Sequence, residues 1–244
     1  MPGHRLGANE FARQYAELRR GEGWVGPDGR EDPRTGEPAL WRGRLRLVRA
    51  VATFIETERA SRARMPVIAD IGSGGGWLAD YLPGARVVSI DLQPSAEIRG
   101  DMRSLPLTRS SLDAVIYVAS LHYAEPDETI PEAARVLVEG GLFIAIDSPV
   151  YPDVASRDMA AERSAAYYRR RGYPDLAAHY HPLDQAALRS ALAAAALGIE
   201  QFEVTRPSRG LWGRVRNGPP SCFVIARRLP YGIDGTGRRG LRVP

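Results

Sequence analysis

Cysteine is almost missing from this chain: Cys222 stands alone among 244 residues, so no internal disulfide can form and a reducing compartment, most simply the cytoplasm, is expected. No run of about eighteen or more apolar residues occurs, which argues against a membrane span. The N-terminus (MPGHRLGANEFARQYAELRR) lacks the apolar core of a secretory signal. No period of about 20–50 residues recurs, which excludes solenoids and propellers. Charge of one sign is scarce as well. The formal surplus is +4, carried by arginines scattered among carboxylates, a pattern of a solvated surface rather than a nucleic-acid stripe. What is present is a hydrophobic content of 44%, enough to bury the core of one domain.

The pattern along the chain is that of an α/β protein. A short helix is expected over 9–20, capped by Asn9, with Phe11, Tyr15 and Leu18 on one stripe. Residues 21–39 are rich in Gly and Pro without periodicity, and read as either a lid loop or a disordered segment. From Leu40 the spacing is helical, with Trp41, Leu45, Val48, Ala52 and Ile55 on one stripe and Arg42, Arg44, Arg46 and Arg49 mostly off it. Strands are predicted at 66–71, 86–91, 112–118 and 142–147, with helices at 76–82 and 125–140 between them. Short apolar runs alternating with helices indicate a parallel sheet covered on both faces. Between Asp91 and Asp101 there is room only for a turn and a stub near Ile98, so the third strand should be short and its preceding helix trimmed. Residues 148–182 read as an irregular, tyrosine-rich insert. A helix over 183–197 follows, with Asp184 as N-cap and Gly198 at C′, then closing strands at 199–206 and 220–228 and a mobile tail from Leu229. The expected division is 1–60 for N-terminal helices and a lid, 61–228 for the main domain with the insert 148–182, and 229–244 for the tail.

The sharpest chemical signal is Asp70-Ile71-Gly72-Ser73-Gly74-Gly75-Gly76, directly between a strand and a helix. Glycines there let the backbone bend tightly and approach a ligand, and the first N–H groups of the following helix face the same space. Asp91 ends the next strand, 19 residues beyond Gly72, where an acid can accept both hydroxyls of an adenosine ribose. A dinucleotide is the obvious rival ligand. Its GxGxxG pattern, counted from Gly72, needs glycine at position 77, which is Trp77. An acid two residues before the first glycine suits a ligand with ammonium and sulfonium charge better than a pyrophosphate.

These residues resemble motif I of the class I S-adenosylmethionine (SAM)-dependent methyltransferases: Asp70-x-Gly72-x-Gly74-x-Gly76. SIDLQP (89–94) is similar to their acidic second-strand motif, and GDMRSLPLTRSSLDAVIYVASLHY (100–123) to the stretch typical of the ubiquinone/menaquinone-biosynthesis type. EAARVLVEGGLFIAID (132–147) resembles their helix and fifth strand, so the likeness covers residues 66–147. It implies a Rossmann-like fold with a mixed seven-stranded sheet, helices on both faces, and SAM as cofactor. It also implies roles. Asp70, Gly72, Ser73 and Gly74 would lie along the methionine portion, Asp91 would bind the ribose, and Leu92 would pack on the adenine. Asp101 would accept from the adenine amine with Met102 beside the ring, and Ser120 and His122 would stand near the transferred methyl.

His122 is the candidate general base, required only where the acceptor has a proton to lose. Tyr15, Trp24, Tyr123, Tyr151 and Tyr168 are candidates for an aromatic acceptor pocket. His179 and His181 share a spacing compatible with a metal, but no third ligand accompanies them, so none is expected. The absence of an Asp/Asn-Pro-Pro-aromatic tetrad after the fourth strand argues against methylation of base amino groups, and Ser221 before Cys222 argues against a Pro-Cys nucleophile. The expected function is methyl transfer to a small molecule at oxygen, nitrogen or carbon. The alternatives are a non-catalytic SAM-binding module and an NAD-dependent oxidoreductase.

Overall fold

The computed structural model describes residues 6–25, 38–60, 64–205 and 219–230. Two helices come first, α1 (Ala8–Gly21) and α2 (Pro38–Arg59). The central run then reads β1 (Val67–Ile71), a 3₁₀ turn (Trp77–Tyr81), β2 (Arg86–Asp91), β3 (Ile98–Arg99), β4 (Leu112–Val118), α3 (Pro126–Val136) and β5 (Leu137–Tyr151). The remainder is α4 (Val154–Arg170), a 3₁₀ turn (Pro174–His179), β6 (Leu183–Asp184), α5 (Gln185–Ala194), β7 (Leu197–Thr205) and β8 (Ser221–Arg228). The sheet order is β3-β2-β1-β4-β5-β8-β7, with the two-residue β6 pairing beside β5. The first four pairings are parallel, whereas β8 runs antiparallel to both β5 and β7. This is the expected mixed seven-stranded sheet with β6 added at the far end of β5.

Successive strand residues point to opposite faces, and both faces are buried, which is why the strands read as continuous apolar runs. On one face Ile71, Val115, Tyr117 and Phe143 pack against Ile130 and Ala133 of α3 and Leu188 and Leu192 of α5. On the other, Ile68, Ile116, Ile144 and Ile146 pack against Val48, Val51 and Ile55 of α2 and Leu78 of the first 3₁₀ turn. The chain leaves β1 towards β2 on one side and returns to β4 on the other. Strand order therefore reverses at β1, and the crevice beyond its carboxyl end is where such sheets hold ligands.

Several local expectations are corrected. Asn9 is inside α1 rather than its cap; Gly7 stands at the N-cap with no side-chain bond, and Asn9 Oδ1 instead accepts from Arg99. The helix expected at 76–82 is a single 3₁₀ turn, because only five residues separate the glycine bend from Leu82 and the Pro83-Gly84 stop. Without a full helix there, the bend must bind through its own backbone and neighbours rather than a helix terminus. α3 ends at Val136, short of Gly140, because Leu137 is already extended and paired with Leu112 of β4. The insert 148–182 contains the 17-residue α4, capped by Asp153, whose side chain accepts from Ser156 N–H at 2.7 Å. Its buried residues, Ala160 and Tyr168, form no apolar stripe that periodicity could reveal. Asp184 does cap α5, but the left-handed residue after the helix is Ala196 (φ 54°), and Gly198 already pairs with Arg227 in β7. Arg44, expected off the apolar face of α2, is buried. Most of the expected lid loop, the loop between β7 and β8, and the tail from 231 onward lie outside the described residues.

Candidate active site

The bend after β1 is fixed by close packing. Gly72 has φ 69°, and a Cβ built on it would stand 2.6 Å from Ser120 Cβ, so any side chain there collides as well as straining the backbone. Ser120, just past β4, donates through Oγ to the Ile71 carbonyl at 2.5 Å. The Gly72 N–H donates to the Ile90 carbonyl at 2.8 Å, which ties the bend to the end of β2. Asp91 completes the arrangement: Oδ2 accepts from Gly74 N–H at 2.8 Å and Oδ1 from Gln93 N–H at 2.8 Å. Burial pushes the Asp91 carboxyl above its ordinary 3.8, an effect that these backbone donors partly offset.

A cavity of about 980 Å³ opens beyond this bend. Its wall includes Gly72, Gly74, Asp91, Leu92, Asp101 and Met102, together with Ser120 and His122. The structure thus gathers most of the predicted cofactor residues around one space. Asp101 is held by Arg103, whose Nη2 donates to Oδ2 at 2.6 Å, and Thr129 Oγ1 donates to the Met102 carbonyl at 3.0 Å. Trp77 does not stand in the bend. Its ring packs edge-on against Trp41, 5.4 Å between centroids, on the α2 side of the sheet.

Tyr15, Trp24 and Tyr123 also line the cavity. Tyr15 and Tyr123 meet hydroxyl to hydroxyl at 3.2 Å, and Arg19 Nη2 donates to Tyr123 Oη at 3.0 Å. The Arg19 guanidinium lies 4.5 Å from the centre of the Trp24 ring. Asp70, Ser73, Tyr151 and Tyr168 are buried but do not form part of the wall. Asp70 sits in β1 between Ser89 and Ile116, and Tyr168 packs with Leu18 and Leu176 under α4. His179 and His181 diverge: His179 Nε2 accepts from Leu6 N–H at 2.9 Å, while His181 Nδ1 lies 2.8 Å from a Glu125 carboxylate oxygen.

His122 is buried against Tyr123 and Tyr180, with centroids 4.4 and 5.1 Å away. Burial, with Arg19, Arg44 and His181 nearby, pushes it down from 6.5 to about 3. The imidazole is therefore neutral at physiological pH and a weak base. A group so weakly basic is poorly matched to taking a proton at neutral pH.

Among the wall residues that were not expected at the site are Arg44 and Asp147, which pair with each other. Arg44 Nε donates to Asp147 Oδ2 at 2.7 Å, and the guanidinium lies 4.7 Å from the Trp41 ring. Asp147 has φ 58°, a conformation that costs a non-glycine residue about 1–3 kcal/mol. It sits where the pairing of β5 with β8 shifts between Ile146 and Pro149, and that irregularity accompanies the turn of its carboxylate toward α2. An acid closing a strand was the signal used for Asp91; the same signal was available at Asp147.

The family model described as "Methyltransferase domain" matches residues 69–145. An uncharacterised methyltransferase of Mycobacterium tuberculosis strain H37Rv is 33% identical over 88 residues, covering 30% of this chain and only 36% of that protein's length. Among solved structures, geranyl diphosphate C-methyltransferase from Streptomyces coelicolor aligns with a TM-score of 0.60 at 15% identity, covering 92% of this chain and 99% of that one. The YcgJ protein of Bacillus subtilis aligns with a TM-score of 0.55 at 14% identity, covering 74% and 99%. Residues 69–145 thus resemble a methyltransferase domain, and the chain shares the fold of these solved methyltransferases.

Proposed function

We propose that the protein transfers a methyl group from SAM to a small-molecule acceptor at oxygen, nitrogen or carbon. The observation that carries this reading is the glycine bend at Gly72–Gly74, bonded to the partly buried Asp91 carboxylate on the wall of a cavity of about 980 Å³. The cradle fits the cofactor: Gly72 lets the bend close onto Ser120 and Met102, where a Cβ would collide, and Gly72, Gly74 and Asp91 line the cavity. SAM supplies an activated methyl on a positively charged sulfur. Each Asp91 oxygen accepts one backbone N–H and retains a lone pair, so the acid can take ribose hydroxyls without giving up the bend. Met102 presents an adaptable apolar surface for the adenine, and Asp101 presents an acceptor steadied by Arg103. Holding acceptor and methyl at near-attack distance inside such an enclosure can supply up to about 7–11 kcal/mol of barrier lowering. Neutral His122 serves as a hydrogen-bond acceptor that orients the acceptor molecule.

The class I domain occupies 61–228, and α1 and α2 ahead of it contribute residues to the cavity wall. Among the described residues no helix is long and apolar enough to cross a membrane, and a cytoplasmic place of action is part of this proposal. The test is calorimetric titration with SAM and S-adenosylhomocysteine, followed by a mass scan of cell extract for products heavier by one CH₂. Micromolar binding with such a product supports the proposal. Binding without any product turns it into a non-catalytic module, and heat from NAD alone rejects it.

A further inference from the structure

The charged residues of the cavity wall do not all pair with one another. Arg19, Arg44, Arg46 and Arg103 stand against Asp91, Asp101 and Asp147. Arg103 is taken by Asp101, Arg44 by Asp147, and Arg19 by Glu22 behind the wall at 2.8 Å. Arg46 is left over: among the described residues no carboxylate lies within ion-pair distance of it. Its position follows from α2. Gly43 and Leu47, one turn apart, face the cavity, and Arg44 and Arg46 flank that face on either side. The same wall carries the rings of Phe11, Tyr15, Trp24 and Tyr123.

We propose, resting on the methyltransferase reading above, that the acceptor is a small planar carboxylate, its negative group drawn to Arg46 beside Arg44 and its flat body lying on the aromatic wall. Arg46 is the wall guanidinium without an ion-pair partner among the described residues, whereas the unpaired acid, Asp91, is held by the backbone of the bend. A phosphate monoester, carrying about −1.5 to −2 near neutral pH, would meet only this one unpaired guanidinium. The guanidinium fork also fits the two carboxylate oxygens geometrically.

The rest of the wall agrees with an acceptor that arrives already deprotonated. Asp147 is committed to Arg44, Tyr123 to Arg19 and Tyr15, and His179 to the Leu6 N–H. A carboxylate needs no base. Its oxygen lone pair forms the O–CH₃ bond while the S–CH₃ bond breaks with its electron pair left on sulfur. The carboxylate becomes a neutral ester, the sulfonium a neutral thioether, and no proton moves.

The experiment uses the full chain saturated with S-adenosylhomocysteine, so that binding of that nucleoside is established first. Its absence would reject the methyltransferase reading, and with it this proposal. A panel of small aromatic carboxylates, benzoate and its hydroxylated and amino derivatives, is then titrated beside the corresponding neutral amides, with heat and tryptophan fluorescence as readouts. The expected result is that at least one carboxylate binds about tenfold or more tightly than its amide. In Arg46→Gln that preference should fall roughly tenfold while S-adenosylhomocysteine binding is unchanged. Arg46 is exposed, so this variant should fold; Arg46→Lys should keep part of the preference. The proposal is overturned if nucleoside binding is intact but no carboxylate outbinds its amide, or if Arg46→Gln leaves the preference as it was.

Discussion

The backbone N–H of Gly74 donates to Asp91 Oδ2 at 2.8 Å, so the acid at the end of β2 closes the glycine bend after β1. One side chain thereby shapes the site and offers itself to the ligand. Asp91→Asn should weaken S-adenosylhomocysteine binding about 10–100-fold, and it should also cost about 1–3 kcal/mol of stability by disturbing backbone donors that are partly buried. Calorimetry and thermal unfolding read the two effects separately. Unchanged affinity would remove the ribose from Asp91.

Gly72 meets Ser120 so closely that substitution has two distinct costs. Gly72→Ala forces an alanine into left-handed backbone, worth about 1–2 kcal/mol, and drives its methyl to 2.6 Å from Ser120 Cβ. The expected outcome is loss of nucleoside binding and a lower Tm. Adding Ser120→Gly should recover the steric part but not the conformational part, so the double variant melts between Gly72→Ala and wild type. A double variant no more stable than Gly72→Ala alone would contradict this division.

The strands and the bend were legible because both depend on local pattern. Apolar runs of four to seven residues with Gly or Pro stops have few other places to go, and φ values open mainly to glycine leave Gly72 and Gly74 as visible marks. What depended on distant partners was not legible. Asn9 looked like a cap but found Arg99, ninety residues away. Helix spacing places Arg44 outside the apolar stripe; its burial comes from Asp147 and the ring of Trp41. α4 was hidden because most of its surface faces solvent and its tyrosines join a satellite cluster with α1. Trp77, whose position in the spacing argued against a dinucleotide, packs against Trp41 and Tyr81 rather than in the bend.

His122 gives the stability a signed pH dependence. Its native value is pushed from 6.5 down to about 3, first by burial and then by Arg19, Arg44 and His181. The unfolded chain therefore binds this proton more readily, and the contribution present above pH 6.5 is lost as pH falls from 6.5 toward 3. Chemical unfolding between pH 7 and 4 should show stability falling in wild type and falling less steeply in His122→Gln. Turnover should show no step near 6.5 that disappears in the variant. Such a step would restore the histidine as a base working at ordinary basicity.

The Arg44–Asp147 pair should be strongly coupled. Arg44→Met leaves a largely buried carboxylate without its partner and should cost on the order of 3 kcal/mol, whereas Arg44→Met with Asp147→Asn should cost less than the sum of the two single changes. A double-mutant cycle by denaturant unfolding measures the coupling. Strict additivity would mean that the 2.7 Å contact adds nothing to stability.

The most direct test of the account is a crystal structure of the chain with S-adenosylhomocysteine. The account predicts the two ribose hydroxyls on Asp91, the adenine beside Met102, and the sulfur over Gly72 facing the arginine and aromatic wall. A nucleoside bound elsewhere, or a bend between Gly72 and Gly76 left empty at saturating ligand, would contradict it.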